Sequence, residues 1–394
     1  MNFDFSDEQQ ELRRQAQRLL GTGCARARTQ VTASASFDAA LWRQAVEMGW
    51  TAAAVPEAQG GLGLGVLELC VLAEECGRAL APLPFAASVL QATQALSITQ
   101  STWPNDAAAA QWLPLLAAGE VVATVALVEP GGRLWSDAPQ ARVQGGRLTG
   151  AKSPVAQAAG ADLAIVSARS DEDGDSFGLW LVDLRGGGTG DEAGSRSDIH
   201  RPSIHSLDLV NRHGGLRFDG APAQRLGPPG AGPELLRRLI DSTAVLMAFE
   251  QLGSAEAALA MALAYVRQRK AFGREIASYQ AVKHRLADMY VKNQLARSHA
   301  YYGAWALSTG AAELPVAAAG ARLAALEAQT FATEENVQLH GGIGFTWECD
   351  AQLYYRRTRA QAIALGGRAH WAQRLVAMLA RVDGNTTTAA ATSA

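Results

Sequence analysis

Long stretches with few helix breakers in the C-terminal part of the chain constrain its fold most. They are rich in alanine, leucine and glutamate and cover residues 235–269, 280–307, 316–339 and 353–381, the last with an interruption at Gly366 and Gly367. These residue types favour the α-helix, and long helices are stable mainly when they bury apolar faces against each other. The sequence therefore predicts a C-terminal four-helix bundle over residues 227–384.

The residue pattern changes twice before this bundle. Residues 1–118 have a helical pattern, with Ser6 as a candidate N-cap and further helices at 38–48 and 65–80. Residues 119–226 contain short apolar runs at 121–128, 162–168 and 177–184, separated by glycine and proline as in antiparallel β units. Residues 385–394 indicate a disordered tail. The expected fold is an α+β multidomain chain with an N-terminal helical domain, a middle antiparallel β domain and a C-terminal four-helix bundle.

Charge and composition exclude several function classes. The formal net charge of the 394 residues is -3, which argues against nucleic acid as a partner. No apolar run reaches the roughly 18 residues that span a bilayer, and the start of the chain does not have the pattern of a secretory leader. The four cysteines show no zinc-like spacing, and the histidines form no metal-ligand pattern. We expect a cytoplasmic protein that binds neither a metal nor a membrane.

The segment 265–280 carries the strongest chemical signal. A long helix ends there in a cationic run that includes Arg269, and Phe272 and Gly273 follow before a second helix opens near Gln280. The cations alone suit the negative end of a helix dipole and need no ligand. However, a guanidinium group also offers a planar fork of donors that matches a diphosphate.

A second signal is the glycine turn after the helix at 316–339. It contains Gln338, His340, Gly341 and Gly342. A glycine-rich turn after a helix usually just ends that helix, but glycines without a Cβ also let a ligand approach the backbone closely. His340 is expected to be a packed or surface histidine.

Both segments resemble the acyl-CoA dehydrogenase family, and the resemblance covers almost the whole chain. Further matches are the opening at 5–9, the loop with Pro56, Glu57, Gly60 and Gly61, and the strand end Val128-Glu129-Pro130-Gly131. The resemblance implies FAD as the cofactor, an acyl-CoA substrate, a like or homologous subunit in a dimer or tetramer, and electron-transfer flavoprotein as electron acceptor.

The resemblance also implies roles for individual residues. Arg269 reaches the FAD diphosphate of a neighbouring subunit, and Phe272 packs near the adenosine part. Tyr279 and Gln280 match an aromatic–glutamine pair of the family. Gln338, Gly341 and Gly342 form the turn that approaches the partner's FAD. Val128 lacks the usual hydroxyl donor to the flavin ring, although its backbone can still contact the ring.

Other positions depart from the family pattern. Pro154, Val155 and Ala156 stand where the family has an aromatic and a hydroxyl residue at the flavin, and residues 132–137 differ from its Gly-Ser-Asp sequence. The catalytic base must take an α-proton from the thioester, and its usual positions hold Leu365 (or Ala364) and Thr243.

Glu250 is the remaining candidate base. It lies two helical turns beyond Thr243 on the same face of the predicted helix. A displaced glutamate of this kind resembles bacterial members of the family that act on sterol side chains or other bulky thioesters. The alternative is a structural ion pair, with Arg285 or Arg297 as conceivable partners.

Three hypotheses follow from these matches and departures. The chain is an active dehydrogenase of a bulky or branched acyl-CoA with Glu250 as base, or it is a non-catalytic or half-site subunit of a heteromeric dehydrogenase. A third is a flavoprotein of the same fold that performs different chemistry on a CoA thioester.

Overall fold

The N-terminal region of the computed structural model is helical, as expected. The structure describes residues 6–21, 23–131, 134, 138–174, 176–185, 187–188 and 196–391. Its first helices are α1 (Asp7–Leu20), α2 (Ala25–Thr32), α3 (Ala39–Glu47), α4 (Val66–Arg78), α5 (Phe85–Ala87), α6 (Gln94–Thr102) and α7 (Ala107–Ala117), with a π-helical turn at Ser88–Thr93. The hydroxyl of Ser6 accepts a hydrogen bond from the Gln9 backbone N–H, and the Gln9 side chain accepts one from the Ser6 N–H. This capping box confirms the predicted start of α1.

The middle region forms one large sheet. Its strands are β1 (Ala123–Ala126), β2 (Arg142–Gln144), β3 (Arg147–Ala156), β4 (Leu163–Ser170), β5 (Gly178–Asp183), β6 (Gly187–Gly188), β7 (Arg196–His200), β8 (His213–Pro222) and β9 (Gln224–Leu226). They are ordered β6-β7-β8-β3-β2-β4-β5-β9, with β1 beside β4. The predicted apolar runs correspond to β1, β4 and β5.

The sheet is mixed rather than purely antiparallel. The β3–β8 and β4–β5 pairs are antiparallel, but β1 runs parallel to β4. A parallel pair needs a long connection between its strands. Residues 127–162 supply that connection and contain β2 and β3 themselves. The apolar runs gave no information about strand direction.

The C-terminal region confirms the predicted helical bundle. It contains α8 (Gly232–Gln268), α9 (Gln280–Thr309), α10 (Leu314–His340), α11 (Ala351–Ala364) and α12 (Arg368–Ala391), with the short hairpin β10 (Lys270–Ala271) and β11 (Arg274–Glu275) between α8 and α9. Helix α12 continues into the residues for which a disordered tail is expected, and the described part of that tail is helical. No helix among the described residues is long and apolar enough to span a bilayer.

Two glycines allow α4 and α8 to cross in close contact. A Cβ atom on Gly77 would lie 1.8 Å from the Glu250 carbonyl oxygen, and one on Gly253 would lie 1.8 Å from the Glu74 carbonyl oxygen. Only glycine permits this backbone approach. The crossing fixes the position of Glu250 and joins the N-terminal helices to the bundle.

Candidate functional site

The hairpin after α8 carries Arg269 and Phe272, the residues predicted to contact the diphosphate and the adenosine part of FAD. We call these two residues the clamp. Phe272 and Gly273 form its tip, with φ angles of 52° and 79°. Two successive left-handed residues define a type I′ turn, which suits a two-residue hairpin but is unfavourable for phenylalanine. The Phe272 side chain is 95% exposed. Arg269 is also exposed, and its side chain forms no hydrogen bond or ion pair with the described residues.

Tyr279 supports this hairpin from below. Its hydroxyl donates to the Ala271 carbonyl oxygen at 3.1 Å, and the Arg274 guanidinium lies 4.0 Å from the centre of its ring. Gln280 follows as the first residue of α9 and is exposed. The two residues of the predicted aromatic–glutamine pair therefore have different roles. Tyr279 stabilises the hairpin, and Gln280 remains available to a ligand or partner.

The glycine turn after α10 is open. The Gly341 N–H donates to the Gln338 carbonyl oxygen, and Gly341 has a φ of 65°. A Cβ atom on Gly341 or Gly342 would meet no atom within 4 Å. Within this chain, packing therefore does not require glycine at position 342, and the space beside the turn is free for a group from outside. The Gln338 side chain is exposed at the same end of α10.

Tyr265 and His340 bring the two motifs together. Their rings stack with centres 4.2 Å apart and an interplanar angle of 25°. His340 is only 8% exposed, and its Nδ1 lies 2.8 Å from the Asn336 carbonyl oxygen, so this nitrogen acts as the donor. The expectation of a packed histidine is confirmed. The hairpin and the glycine turn thus lie at adjacent ends of α8 and α10.

The strand end at Val128 rests on a buried ion pair that the sequence did not reveal. The half-buried Val128 accepts a hydrogen bond at its carbonyl oxygen from the Ser153 N–H at 2.8 Å. Glu129 accepts from the Nζ of the fully buried Lys152 at 2.9 Å and from two backbone N–H groups, those of Gln140 and Ala141. Burial opposes ionisation of Glu129, yet these donors hold its pKa below the usual value. The alternation of β3 was the signal that could have placed Lys152 inside.

The neighbouring wall lacks the two groups that the resemblance implies for a flavin site. Pro154 is exposed and Val155 is buried, so neither an aromatic ring nor a hydroxyl group is presented at these positions. Residues 132–133 and 135–137, where the Gly-Ser-Asp sequence is altered, lie outside the described residues.

Glu250 is buried and engaged in an ion pair. Its Oε1 lies 3.4 Å from Nη1 of Arg357, which also binds Asp208. Its Oε2 accepts no hydrogen bond of ordinary length. Burial raises the pKa of Glu250, and the nearby Arg357 opposes that change only in part.

The partners expected for Glu250 were wrong. Arg297 binds Glu74 and Glu256, and Arg285 lies 3.7 Å from Glu335. Both arginines lie on α9, whereas the carboxylate of Glu250 points towards α11. Thr243 and Leu365, at the usual positions of the base, are buried and cannot ionise.

Comparisons with known proteins identify the family of the chain. Two family models match the chain, "Acyl-CoA dehydrogenase, N-terminal domain" at residues 6–120 and "Acyl-CoA dehydrogenase, C-terminal domain" at residues 230–378. The acyl-CoA dehydrogenase IpdE2 of Mycobacterium tuberculosis is 30% identical over 90% of this chain and 92% of its own length. The mitochondrial short-chain specific acyl-CoA dehydrogenase of Bos taurus is 30% identical over 86% of this chain and 81% of its own.

Similar solved structures include two assemblies of paired chains. A variant of the Tcur3481-Tcur3483 steroid ACAD has a TM-score of 0.82 and 30% identity, covering 96% of this chain and 99% of that chain. The ChsE4-ChsE5 complex from Mycobacterium tuberculosis has a TM-score of 0.83 and 27% identity, with the same coverage of 96% and 99%.

Proposed function

Because the chain belongs to the acyl-CoA dehydrogenase family, we propose that it serves the FAD-dependent α,β-dehydrogenation of an acyl-CoA thioester as a subunit that completes a FAD site across a subunit interface. The family consists of oxidoreductases that act on the CH–CH group of acyl-CoA and use a flavin. We propose in addition that the flavin is FAD and that two subunits share each FAD site.

The observation that carries the proposal is the exposure of the clamp. The tip residue Phe272 is 95% exposed in an unfavourable backbone conformation, and Arg269 beside it has no partner among the described residues. Strained, exposed groups of this kind persist where a ligand or partner uses them. The open space at Gly341 and Gly342 adjoins the same end of the bundle through the Tyr265–His340 stack.

These residues fit the adenosine diphosphate half of FAD. Arg269 would bind the diphosphate, Phe272 would cover the adenosine part, and the backbone at Gly341 and Gly342 would approach it closely, with Gln280 and Gln338 as exposed amide donors. FAD, when bound, supplies the acceptor for the β-hydride. On the ring side, the backbone at Val128 would contact the flavin, and the Glu129–Lys152 pair holds this strand end in place.

The usual positions of the catalytic base hold residues that cannot accept a proton, which supports a partner subunit as the one that carries out the reaction. Thr243 and Leu365 cannot accept a proton, and the charge of Glu250 is engaged by Arg357. We infer a heteromeric assembly in which a homologous subunit carries the base and the flavin ring. The paired chains named in the two similar structures support a heteromeric assembly. One of these structures is a steroid ACAD, which supports a bulky acyl group as the substrate.

A second candidate function has one specific observation in its favour. Glu250 is buried, burial raises the pKa of its carboxyl group, and one of its oxygens accepts no hydrogen bond of ordinary length. These are properties of a general base, so the chain would then take the α-proton itself in a homo-oligomer. Under either candidate, we also propose electron-transfer flavoprotein as the electron acceptor and a cytoplasmic location.

Flavin content separates the two candidates. The chain is purified alone and, in parallel, together with a homologous subunit encoded beside it, and the flavin bound per chain is measured from the absorbance spectrum. We expect a colourless chain that gains flavin only in the complex. A yellow chain with a full complement of flavin on its own would instead support the homo-oligomer. In the complex, Arg269→Ala should lower flavin content while the matched control Arg267→Ala, an exposed residue two positions earlier, should not.

A further inference from the structure

A cleft whose lining includes none of the clamp residues has the composition of an anion site. It has a volume of about 360 Å³ and lies between the segment that joins α2 to α3, the end of β3 and the start of β8. No carboxylate lines it among the described residues. Its polar lining consists mainly of hydroxyl, amide, guanidinium and imidazole groups from Ser34, Ser36, Gln157, Arg201, Arg212 and His213.

Two arginines beside the cleft carry charge that no ion pair neutralises. Arg201 donates to the carbonyl oxygens of Ala158, Ala159, Ala161 and Leu184 at 2.6 to 3.1 Å. Arg212 donates to three carbonyl oxygens at the end of α2, those of Gln30, Val31 and Ala33. Neither arginine forms an ion pair with the described residues.

The nearest carboxylates do not cancel this charge. Asp162 acts on Arg201 from beyond ion-pair distance, and it accepts a hydrogen bond from the Val122 N–H. Asp208 lies near His213 but is bound to Arg357. The described lining of the cleft therefore contains two arginines and no carboxylate, a composition that favours an anionic ligand.

Gln157 is the feature that most needs a ligand. Its side chain lines the cleft, the residue is 3% exposed, and neither Nε2 nor Oε1 has a hydrogen-bond partner. An amide buried without partners is costly, and a smaller or apolar residue would avoid that cost. The backbone holds the side chain there, because the Gln157 N–H donates to the Arg212 carbonyl oxygen and Gln157 has a φ of 55°.

Unused donors are available around this amide. The Nη1 atom of Arg212 donates no hydrogen bond to the described residues, and the hydroxyls of Ser34 and Ser36 lie at the mouth of the cleft. His213 has its Nδ1 3.3 Å from the Ser206 hydroxyl, which leaves Nε2 without a partner among the described residues. These groups could surround an oxyanion with several donors at once.

We propose that this cleft binds the oxyanion group of a small metabolite, a carboxylate or a phosphate, with the Gln157 amide and Arg212 as its main donors. None of the residues that line this cleft belongs to the clamp at Arg269 and Phe272.

The test compares the full-length chain with Gln157→Leu. Leucine has a similar size and tolerates the left-handed backbone no better than glutamine, so only the amide is lost. Inorganic phosphate and acetate are titrated at constant ionic strength against chloride, and thermal unfolding is followed by circular dichroism. For the wild type we expect saturable stabilisation by one of the two anions, with a rise in Tm of about 2–4 °C. Gln157→Leu should lose this rise and, without anion, be at least as stable as the wild type.

A matched control excludes the other basic cleft on the sheet. Gln144 lines a cleft with Arg142 and Arg147, and Gln144→Leu should leave the anion effect unchanged. If Gln157→Leu fails to fold, calorimetric titration of the wild type and of Gln157→Asn replaces it, with weaker binding expected in the variant. Stabilisation by neither anion, or equal stabilisation of the wild type and Gln157→Leu, would overturn the proposal.

Discussion

The ring of Tyr265 stacks on His340 at 4.2 Å, and this contact joins the two motifs that carry the family resemblance. Tyr265 lies in the last turn of α8, just before the hairpin, and His340 is the last residue of α10, just before the glycine turn. The Tyr265 hydroxyl also donates to the His340 carbonyl oxygen at 3.4 Å. The position of the hairpin relative to the glycine turn depends on this pair.

Removing the Tyr265 ring should loosen the clamp. For Tyr265→Ala we expect a loss of about 2 kcal/mol in the free energy of unfolding, because a half-buried aromatic contact disappears. Flavin retention in the assembled complex should fall as well. Tyr265→Phe keeps the stack and removes only a long hydrogen bond, so it should behave like the wild type in urea unfolding and in flavin content. Equal loss in both variants would show that the hydroxyl, not the stack, matters.

Replacing Phe272 should raise the stability of the isolated chain and weaken flavin binding in the complex. Asparagine adopts the left-handed conformation more readily than phenylalanine, so Phe272→Asn should stabilise the isolated chain by about 0.5–1 kcal/mol. The same change should weaken flavin binding in the complex, because the exposed aromatic side chain is lost. Urea unfolding of the chain alone and flavin titration of the complex measure the two effects. A destabilised isolated chain would contradict our account of the turn.

Two glycine-to-alanine changes should have opposite consequences. Gly253→Ala places a Cβ 1.8 Å from the Glu74 carbonyl oxygen and should destabilise the chain by about 3 kcal/mol or more, since backbone must move. Gly342→Ala meets no atom within 4 Å and should leave stability unchanged, yet lower flavin content in the complex. Thermal unfolding and flavin absorbance of both variants separate packing from cofactor approach. Normal flavin content in a folded Gly342→Ala complex would remove this turn from the proposed site.

The Glu129–Lys152 pair should control acid stability. Because the folded-state pKa of Glu129 is lowered, its contribution is present above the usual carboxyl value and is lost as the pH falls through the lowered pKa. Glu129→Gln should cost about 3 kcal/mol at neutral pH by leaving Lys152 buried without a counter-charge, and should flatten the acid limb of the stability curve. Glu129→Gln combined with Lys152→Met should recover most of this loss. Urea unfolding between pH 3 and 7 provides the measurement (roughly the range in which carboxyl groups titrate).

Glu250→Gln tests the second candidate function directly. If Glu250 is structural, flavin bleaching by acyl-CoA in the complex should be unchanged, and stability should fall by about 1–2 kcal/mol, because Arg357 keeps Asp208. Abolished bleaching with flavin still bound would identify Glu250 as the base.

The pH dependence of the stability of Glu250→Gln gives a further test. Burial raises the folded-state pKa of Glu250, so its contribution to stability is full below the usual value of 4.5 and is lost as the pH rises through the raised pKa. The stability advantage of the wild type over Glu250→Gln should therefore shrink as the pH rises from that value. An advantage that grows instead would mean that Arg357 outweighs burial.

The sequence by itself determined the helical regions and the β region, and it named the residues proposed for the clamp. The cap at Ser6 follows from local backbone preferences, which neighbouring residues set. The type of residue at Thr243 and Leu365 likewise excluded a base at the usual positions without any coordinates.

Only the tertiary structure decided which distant groups meet. Arg357 lies 107 positions from Glu250 in the chain and was not among its expected partners. The pairing of Lys152 with Glu129 could not be predicted for the same reason, and neither could the unpartnered Gln157 beside two arginines. The charge state of a buried group depends on its burial and its neighbours, and both are set by how separate segments pack. Local preferences carry no information about that packing, so the partners of Glu250 could not be predicted from the sequence.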